Sequence, residues 1–373
     1  MGEQGVLVVR EFDTLKDCSG VEEVERRCEV AELDAQKEIV GLIRGCIKTV
    51  TCGKKLPRNG KNTKNPLPIY TKLAYILGLR VSPSHRRIGI GLKLVCRMEE
   101  WFRENGAEYS YMATDSDNQA SVKLFTERCG YEMFRTPSIL VQPVFGHRVR
   151  IPKRVTIFQL GPSEAESLYR RRFSTTEFFP RDIDSVLNNK LSLGTFLAVS
   201  VGLFNPGSWP GVDGFLSDPP ESWAVLSVWN SKEVFTLEVR GASRVRRGLA
   251  KTSRVVDRVL PWLRIPSVPE VFRPFGFLFL YGLGGEGPDA VKMMKGLCGF
   301  AHNLAKERGC RVVATEVSSR EPLRLGIPHW KRLSCAEDIW CMKRLGEDYS
   351  DGSIGDWTKS APGLSIFVDP REF

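Results

Sequence analysis

Arg86 and Arg87 stand directly ahead of Ile88-Gly89-Ile90-Gly91, and two guanidinium groups set against two glycines form a pattern suited to holding an anion. Guanidinium donates in a planar, bidentate fork that matches phosphate, and glycine leaves backbone N–H groups open to close approach. Where such a stretch also opens a helix, its first amides lack internal partners and the macrodipole adds partial positive charge. The same letters also fit an ordinary strand-to-helix turn with two solvated arginines. Two familiar phosphate loops are excluded: a P-loop needs Gly-Lys-Ser/Thr where Gly91-Leu92-Lys93 stands, and Leu94 occupies the third glycine of a dinucleotide fingerprint.

The flanking elements place this turn. Leu73 to Val81 is a largely apolar run with β-branched and aromatic members, which predicts a buried strand. After the glycines, Leu94, Val95, Met98, Trp101 and Phe102 recur at helical spacing until Asn105-Gly106 stops the pattern. Glu108 to Thr114 then alternates as a second strand, and Asp117 or Asn118 caps a short helix ending near Cys129-Gly130-Tyr131.

Arg-x-x-Gly-x-Gly between strand and helix, a second strand, then Asn-x-x-Ser-x-x-Leu-Phe and Gly-Tyr together resemble the GNAT superfamily of acyl-CoA-dependent N-acetyltransferases. Longer blocks narrow the likeness. Arg26 to Val30, Ile43 to Val50, Phe173 to Asp184, Asp356 to Ser360 and Phe367 to Phe373 look like the plant Hookless-type N-acetyltransferases.

That resemblance implies acetyl-CoA as co-substrate and no metal. It implies that Arg86 or Arg87 and the turn amides of Ile88, Gly89, Ile90 and Gly91 hold the pyrophosphate. The strand edge at Leu79, Arg80 and Val81 would pair with the pantetheine arm, and Asn118 would contact that arm, although as a bare feature it is equally a helix cap. A tyrosine seven residues after this asparagine often protonates the leaving thiolate in the family, and Phe125 stands there instead. Tyr131 follows a glycine at the helix end and suits the core better. No glutamate lies on the strand from Leu73 to Val81, so Tyr75, Tyr111 and Asp115 are the candidate catalytic groups, by location. The implied activity is transfer of acetyl to an amine, a protein or histone lysine by the closer likeness, in plant growth and hormone response. The alternative is a non-catalytic GNAT-like module that binds acyl-CoA or a regulatory partner.

Composition sets the outer bounds. A chain of 373 residues suggests about two domains, and 42% hydrophobic with 26% charged residues is ordinary for a globular protein. No apolar run is long enough to cross a bilayer and Met1 to Arg10 is no secretory signal, so the expectation is an intracellular protein, nuclear or cytoplasmic, without membrane partners. Ten cysteines with no Cys-x-x-Cys and only four histidines argue against a disulfide framework and a structural zinc site. A net charge of +10 favours acidic partners such as CoA phosphates. The basic stretch within Thr51 to Pro68 has no interleaved aromatic for base stacking, so it reads as an exposed loop and not as a sequence-specific nucleic-acid contact.

The rest of the chain suggests two modules, 1–150 and 151–373. The expected class is α/β (α+β): two GNAT-like modules in tandem, each a mixed, mostly antiparallel sheet flanked by helices. Gly5 to Phe12 reads as a strand, Val21 to Glu29 as a helix, and Lys37 to Val50 as a long strand with Gly41 and Gly45 as bulge positions. The short segment Val30 to Gln36 leaves little room for the second helix and strand usual in the family. Pro137 to Pro152 reads as a connector and Pro206 to Pro220 as a loop, with strands at Ser222 to Trp229 and Phe235 to Val239. Phe275 to Tyr281, a glycine turn from Gly282 to Pro288, a helix face from Val291 to Ala305 and a strand from Cys310 to Val317 echo the first module. That turn carries Glu286 and no arginine, so it is not expected to hold phosphate.

Overall fold

A computed structural model describes residues 7–9, 31–33, 38–56, 67–202, 209–346 and 355–372. The helix expected at Val21 to Glu29 and the centre of the basic loop lie outside these residues. Thirteen strands are described: β1 (Leu7–Val9), β2 (Ala31–Leu33), β3 (Glu38–Leu56), β4 (Leu67–Val81), β5 (Tyr109–Asp115), β6 (Glu132–Arg135), β7 (Ser138–Pro143), β8 (Val155–Leu160), β9 (Ser192–Ser200), β10 (Trp223–Asn230), β11 (Phe277–Glu286), β12 (Val312–Val317) and β13 (Asp338–Arg344). The helices are α1 (Ile90–Glu104), α2 (Gln119–Lys123), α3 (Pro162–Arg172), α4 (Ile183–Leu187), α5 (Gly211–Ser217), α6 (Arg244–Val259) and α7 (Ala290–Glu307).

The strands form two mixed sheets, ordered β1-β2-β3-β4-β5-β13-β6 and β7-β12-β11-β10-β9-β8. Each has one parallel pair near its middle, β4 with β5 and β11 with β12, and antiparallel pairing elsewhere wherever the register is described. The chain falls into two compact units that differ from a division at residue 150. One comprises residues 1–52, 70–136 and 337–362; the other comprises 53–69, 137–336 and 363–373. The physical reason is strand pairing. β13, just over two hundred residues after β6, runs antiparallel between β5 and β6, with Asp338 opposite Asp115 and Arg344 opposite Tyr109. The stretch read as a connector contains β7, which pairs with β12 from Ser138 against Val317 to Pro143 against Val312.

In the first unit α1 covers one face of the sheet. Ile90, Leu94, Val95, Met98 and Phe102 are buried against Val40, Ile43, Ala74, Ile76 and Met112. Each such side chain stabilises by roughly 1.5–3 kcal/mol when fully buried, which outweighs the modest propensity of a helix with few alanines. The helix approaches β3 closely because two glycines on that strand face it. A Cβ at Gly45 would lie 2.5 Å from the Phe102 ring, and one at Gly41 3.0 Å from Ile90. A bulge does occur beside Gly41, where Ala31 pairs with Gly41 and Glu32 with Ile39. The strand at 31–33 also fills part of the segment expected to be bare.

In the second unit, Leu278, Leu280, Met294, Leu297, Cys298 and Ala301 form the core between β11 and α7. Three local expectations are corrected. Phe235 to Val239 makes only an isolated bridge, Leu237 with Phe275, because the chain enters a 3-10 turn at Ser231–Glu233. The stretch Gly211–Ser217 is helical, with Val212 and Phe215 buried. The run Gly282 to Glu286 continues β11 instead of turning, since Gly284, Gly285 and Glu286 still pair with β10.

Candidate functional site

The site begins where β4 and β5 separate. Their parallel pairing runs from Leu73 opposite Tyr109 to Ile76 opposite Met112 and stops there, although β4 continues to Val81 and β5 to Asp115. Five residues of β4 and three of β5 thus extend beyond the last rung. A pair of central strands that part in this way leaves backbone donors and acceptors along a gap into which an extended chain with its own amides can be laid.

Beyond β4 the chain turns through Pro83–His85 and delivers α1. Gly89 caps the helix with φ +89, a left-handed conformation that costs glycine little, and a Cβ there would meet nothing within 4 Å. The first internal bond at this end is Lys93 N–H to the Gly89 carbonyl at 3.0 Å, and no side chain caps the helix. The amides of Ile90, Gly91 and Leu92 therefore precede the first rung without an intrahelical acceptor. Arg87 also adopts a positive φ of 65, strain of about 1 kcal/mol for a side chain with a Cβ. Arg86 and Arg87 are exposed, and Arg86 Nε donates to the Val81 carbonyl at 3.3 Å.

The second glycine also meets a packing need that its spacing does not show. A Cβ on Gly91 would lie 3.3 Å from Leu124 and 3.7 Å from Leu79, so its bareness lets α1 sit on β4 and on the 124–128 turn. Among the expected pantetheine contacts, the side chains of Leu79 and Val81 face this helix start, while Arg80 is exposed and donates to the Leu79 carbonyl at 3.2 Å. Those carbonyl contacts are exposed side-chain bonds that a ligand amide could replace.

Asn118 caps α2. Its Oδ1 accepts from the Ser121 N–H at 3.3 Å, and its Nδ2 donates to Thr114 Oγ1 at 3.1 Å. Phe125 is 1% exposed and packs edge-on against Tyr131 with ring centroids 5.1 Å apart. The Tyr131 hydroxyl shares a hydrogen bond of 2.8 Å with Ser110 in the core, and burial holds this phenol well above its usual range. Neither ring offers a proton at a surface a substrate could reach.

The opposite face of the sheet carries the other candidates. Tyr75 and Tyr111 are register partners and stack with centroids 4.3 Å apart, one rung before the pairing ends. Lys48 on β3 donates to the Tyr111 hydroxyl at 3.0 Å and lies 5.8 Å from the Tyr75 ring centroid. Trp340 of β13 packs against Tyr111 at 5.4 Å. Asp115 ends β5 in an exposed position, where its Oδ1 accepts the Asp117 N–H at 2.9 Å and holds the turn into α2. The structure thus gathers Lys48, Tyr75 and Tyr111 and leaves Asp115 at the far end of the gap. Lys48 went unmarked in the sequence, because nothing sets it apart from the other cations of the same strand, Arg44, Lys54 and Lys55. Trp340 carried no signal, because its strand is distant in the chain.

The second unit repeats the frame without the bare backbone. β11 and β12 pair only from Phe277 opposite Val312 to Leu280 opposite Thr315, and both strands continue. Here, however, the space a side chain would take at Gly282, Gly284 and Gly287 is filled by Tyr169, Phe173 and the Glu221 carbonyl. Glu286 and the N-cap residue Asp289 precede α7 where arginines precede α1. Carboxylates at a helix start complement its dipole and oppose a phosphate. Among the described residues no group of histidine, cysteine or acidic side chains could hold a metal ion.

Comparison with known proteins agrees with this geometry. The family model described as "Acetyltransferase (GNAT) family" matches residues 9–131. "Probable N-acetyltransferase HLS1" of Arabidopsis thaliana is 64% identical over 403 aligned residues, covering 99% of this chain and 100% of that protein. "Probable N-acetyltransferase HLS1-like" from the same plant is 63% identical with 99% and 100% covered. "Acetyl transferase GW6a" of Oryza sativa subsp. japonica is 43% identical, covering 92% of this chain and 77% of that one. With such identity along the whole length of its plant relatives, the protein belongs to the Hookless (HLS1) branch of the GNAT acetyltransferase family.

Proposed function

We propose that the protein transfers an acetyl group from acetyl-CoA to an amine, and that the acceptor is a lysine side chain of a protein such as a histone. The observation that carries the reading is the parting of β4 and β5 after Ile76 and Met112, with the uncapped start of α1 at the end of β4. Acetyl-CoA supplies the activated thioester. The amides of Ile90, Gly91 and Leu92 would bind its pyrophosphate with Arg86 and Arg87, and the Leu79 to Val81 edge would hold the pantetheine arm in the gap.

On this reading the thioester carbonyl comes to rest beside the stacked tyrosines, where a neutral amine can attack it. Lys48 orients the Tyr111 hydroxyl and adds positive charge where the departing sulfur becomes negative. Tyr75, the half-buried member of the stack, would donate the proton to that sulfur, since Tyr111 is 1% exposed, and water in the gap would receive the proton released by the amine. The buried Tyr111 packs against Tyr75 and keeps it in this orientation. Asn118 would act through α2, which it caps. Nuclear action in plant growth and hormone response is the biological setting proposed from the branch to which the chain belongs.

One observation favours a second reading, a non-catalytic acyl-CoA-binding regulatory module: Phe125 is buried where many family members place a proton-donating tyrosine. The deciding experiment supplies radiolabelled acetyl-CoA with histone and peptide lysines and measures CoA binding in parallel. Label appearing on the acceptor establishes the enzyme. Tight CoA binding without transfer supports the module, and absence of both refutes the site.

A further inference from the structure

Helix α6 leaves an apolar ridge in water. Around its axis three sectors follow one another. Ala250 and Asp257 are buried within the second unit; Val245, Leu249, Val255 and Val259 point outward at 71%, 67%, 53% and 62% exposure; Arg244, Arg247, Lys251 and Arg258 form an exposed basic row. The outward residues recur at i, i+4, i+10 and i+14, one side of a helix, and Trp262, 68% exposed, and Leu263 extend the ridge just past its end. Together they leave on the order of 500 Å² of apolar surface in water, at the upper end of what a monomer normally keeps as one patch.

The helix is fixed in place. Asp257 is fully buried and accepts from Gly146 N–H at 2.6 Å, from His147 at 2.6 Å and from the Ser267 hydroxyl. Arg254 ties the same helix to Glu270 at 3.4 Å. The ridge is therefore a rigid surface about 24 Å long, since sixteen residues rise about 1.5 Å each. Beside it Arg244, Arg246, Lys251 and Arg258 have no described acidic partner, and Arg247 lies over the Phe272 ring at 5.8 Å.

We propose that α6 is a docking ridge for an acidic amphipathic helix of a partner protein. The apolar row would pack into the partner's own i, i+4 grooves, and the guanidinium row would meet carboxylates flanking them. A lipid surface fits less well. Helices that lie in a bilayer interface bury tryptophan, phenylalanine and leucine along their length, whereas three of the four outward apolar residues on α6 are valine, too short to reach deep into acyl chains but well suited to a helix groove, and Trp262 and Leu263 lie only past the helix end. The positive row also opposes self-pairing of this face, which would set like charges together.

The test uses the full-length protein and a fluorescent synthetic helix of about twenty residues with leucine at i, i+3, i+4 and i+7 and glutamate beside them. Controls are a scrambled peptide of identical composition and vesicles containing phosphatidylserine. The expected result is binding of the ordered peptide roughly tenfold or more tighter than the scrambled one, weakening as salt rises. Leu249→Asp, and separately Arg247→Glu with Lys251→Glu, should each reduce it by a similar factor. These positions are exposed, and unchanged circular dichroism and melting temperature establish that the variants are folded. Equal binding of both peptides, no binding of either, or wild-type affinity in Leu249→Asp overturns the proposal. Vesicle binding tighter than peptide binding and lost in Leu249→Asp would also overturn it and assign the ridge to membranes.

Discussion

Ile88→Asp separates binding at the start of α1 from the stability of the fold. Ile88 is 67% exposed and lies two residues before the helix, so the change removes no core contact. In the absence of CoA a carboxylate there complements the unpaired amides of Ile90, Gly91 and Leu92, and stability should stay level or rise by about 0.3–1 kcal/mol. With CoA present the same carboxylate faces a diphosphate. At a separation of about 6 Å and an effective dielectric near 50, each unit of phosphate charge is opposed by about 1 kcal/mol, so two charges cost about 2 kcal/mol. That corresponds to roughly a thirtyfold weaker Kd for CoA. Isothermal calorimetry at 0.15 M salt measures it, with thermal melts of the same samples. The neutral Ile88→Asn should shift affinity by no more than about threefold, and 1 M salt should erase most of the difference by shortening the screening length to about 3 Å. If Ile88→Asp binds CoA as tightly as the parent protein, the pyrophosphate does not lie at these amides.

Tyr75→Phe keeps the stack with Tyr111 but removes the hydroxyl proposed to protonate the leaving sulfur. It should lower kcat by about 10²-fold or more while CoA affinity stays within a factor of two, as stopped-flow and calorimetry would show. Asp257→Asn leaves His147, Ser267 and the Gly146 amide around a group that no longer carries charge, and should destabilise the second unit by about 3 kcal/mol in denaturant melts. His302 is buried, accepts the Phe145 N–H at 2.8 Å, and burial pushes its imidazole down to about 4 from an ordinary 6.5. Between those values the unfolded chain binds a proton that the folded one does not, so stability is complete above pH 6.5 and falls by about 3 kcal/mol on the way to pH 4. His302→Gln should flatten that slope, and equal slopes in the two proteins would refute the assignment.

Local order was legible in the letters wherever neighbours in the chain are neighbours in space. The strand before Val81, the helix from Ile90 to Glu104 and the echo of strand, helix and strand after Phe277 are all encoded by short-range apolar periodicity. The arginine and glycine turn announced itself because a helix start needs only a few adjacent residues. The parting of β4 from β5 did not, because it depends on where a ladder of hydrogen bonds stops. Nor could the chain order show that β13 lies between β5 and β6, or that Lys48 reaches Tyr111, since strand pairing over long separations leaves no local period. The same limit explains the two glycine runs. Both look bare in sequence, yet the one before α1 faces open space at Gly89, while Gly282 and Gly284 are filled by Tyr169 and Phe173 from more than a hundred residues away. Sequence alone determined the family, the strand and helix on either side of the first helix start, and the sign of charge at each helix start. Tertiary packing decided which of two similar frames keeps its backbone open, because an amide stays available to a ligand only where no distant side chain has already covered it.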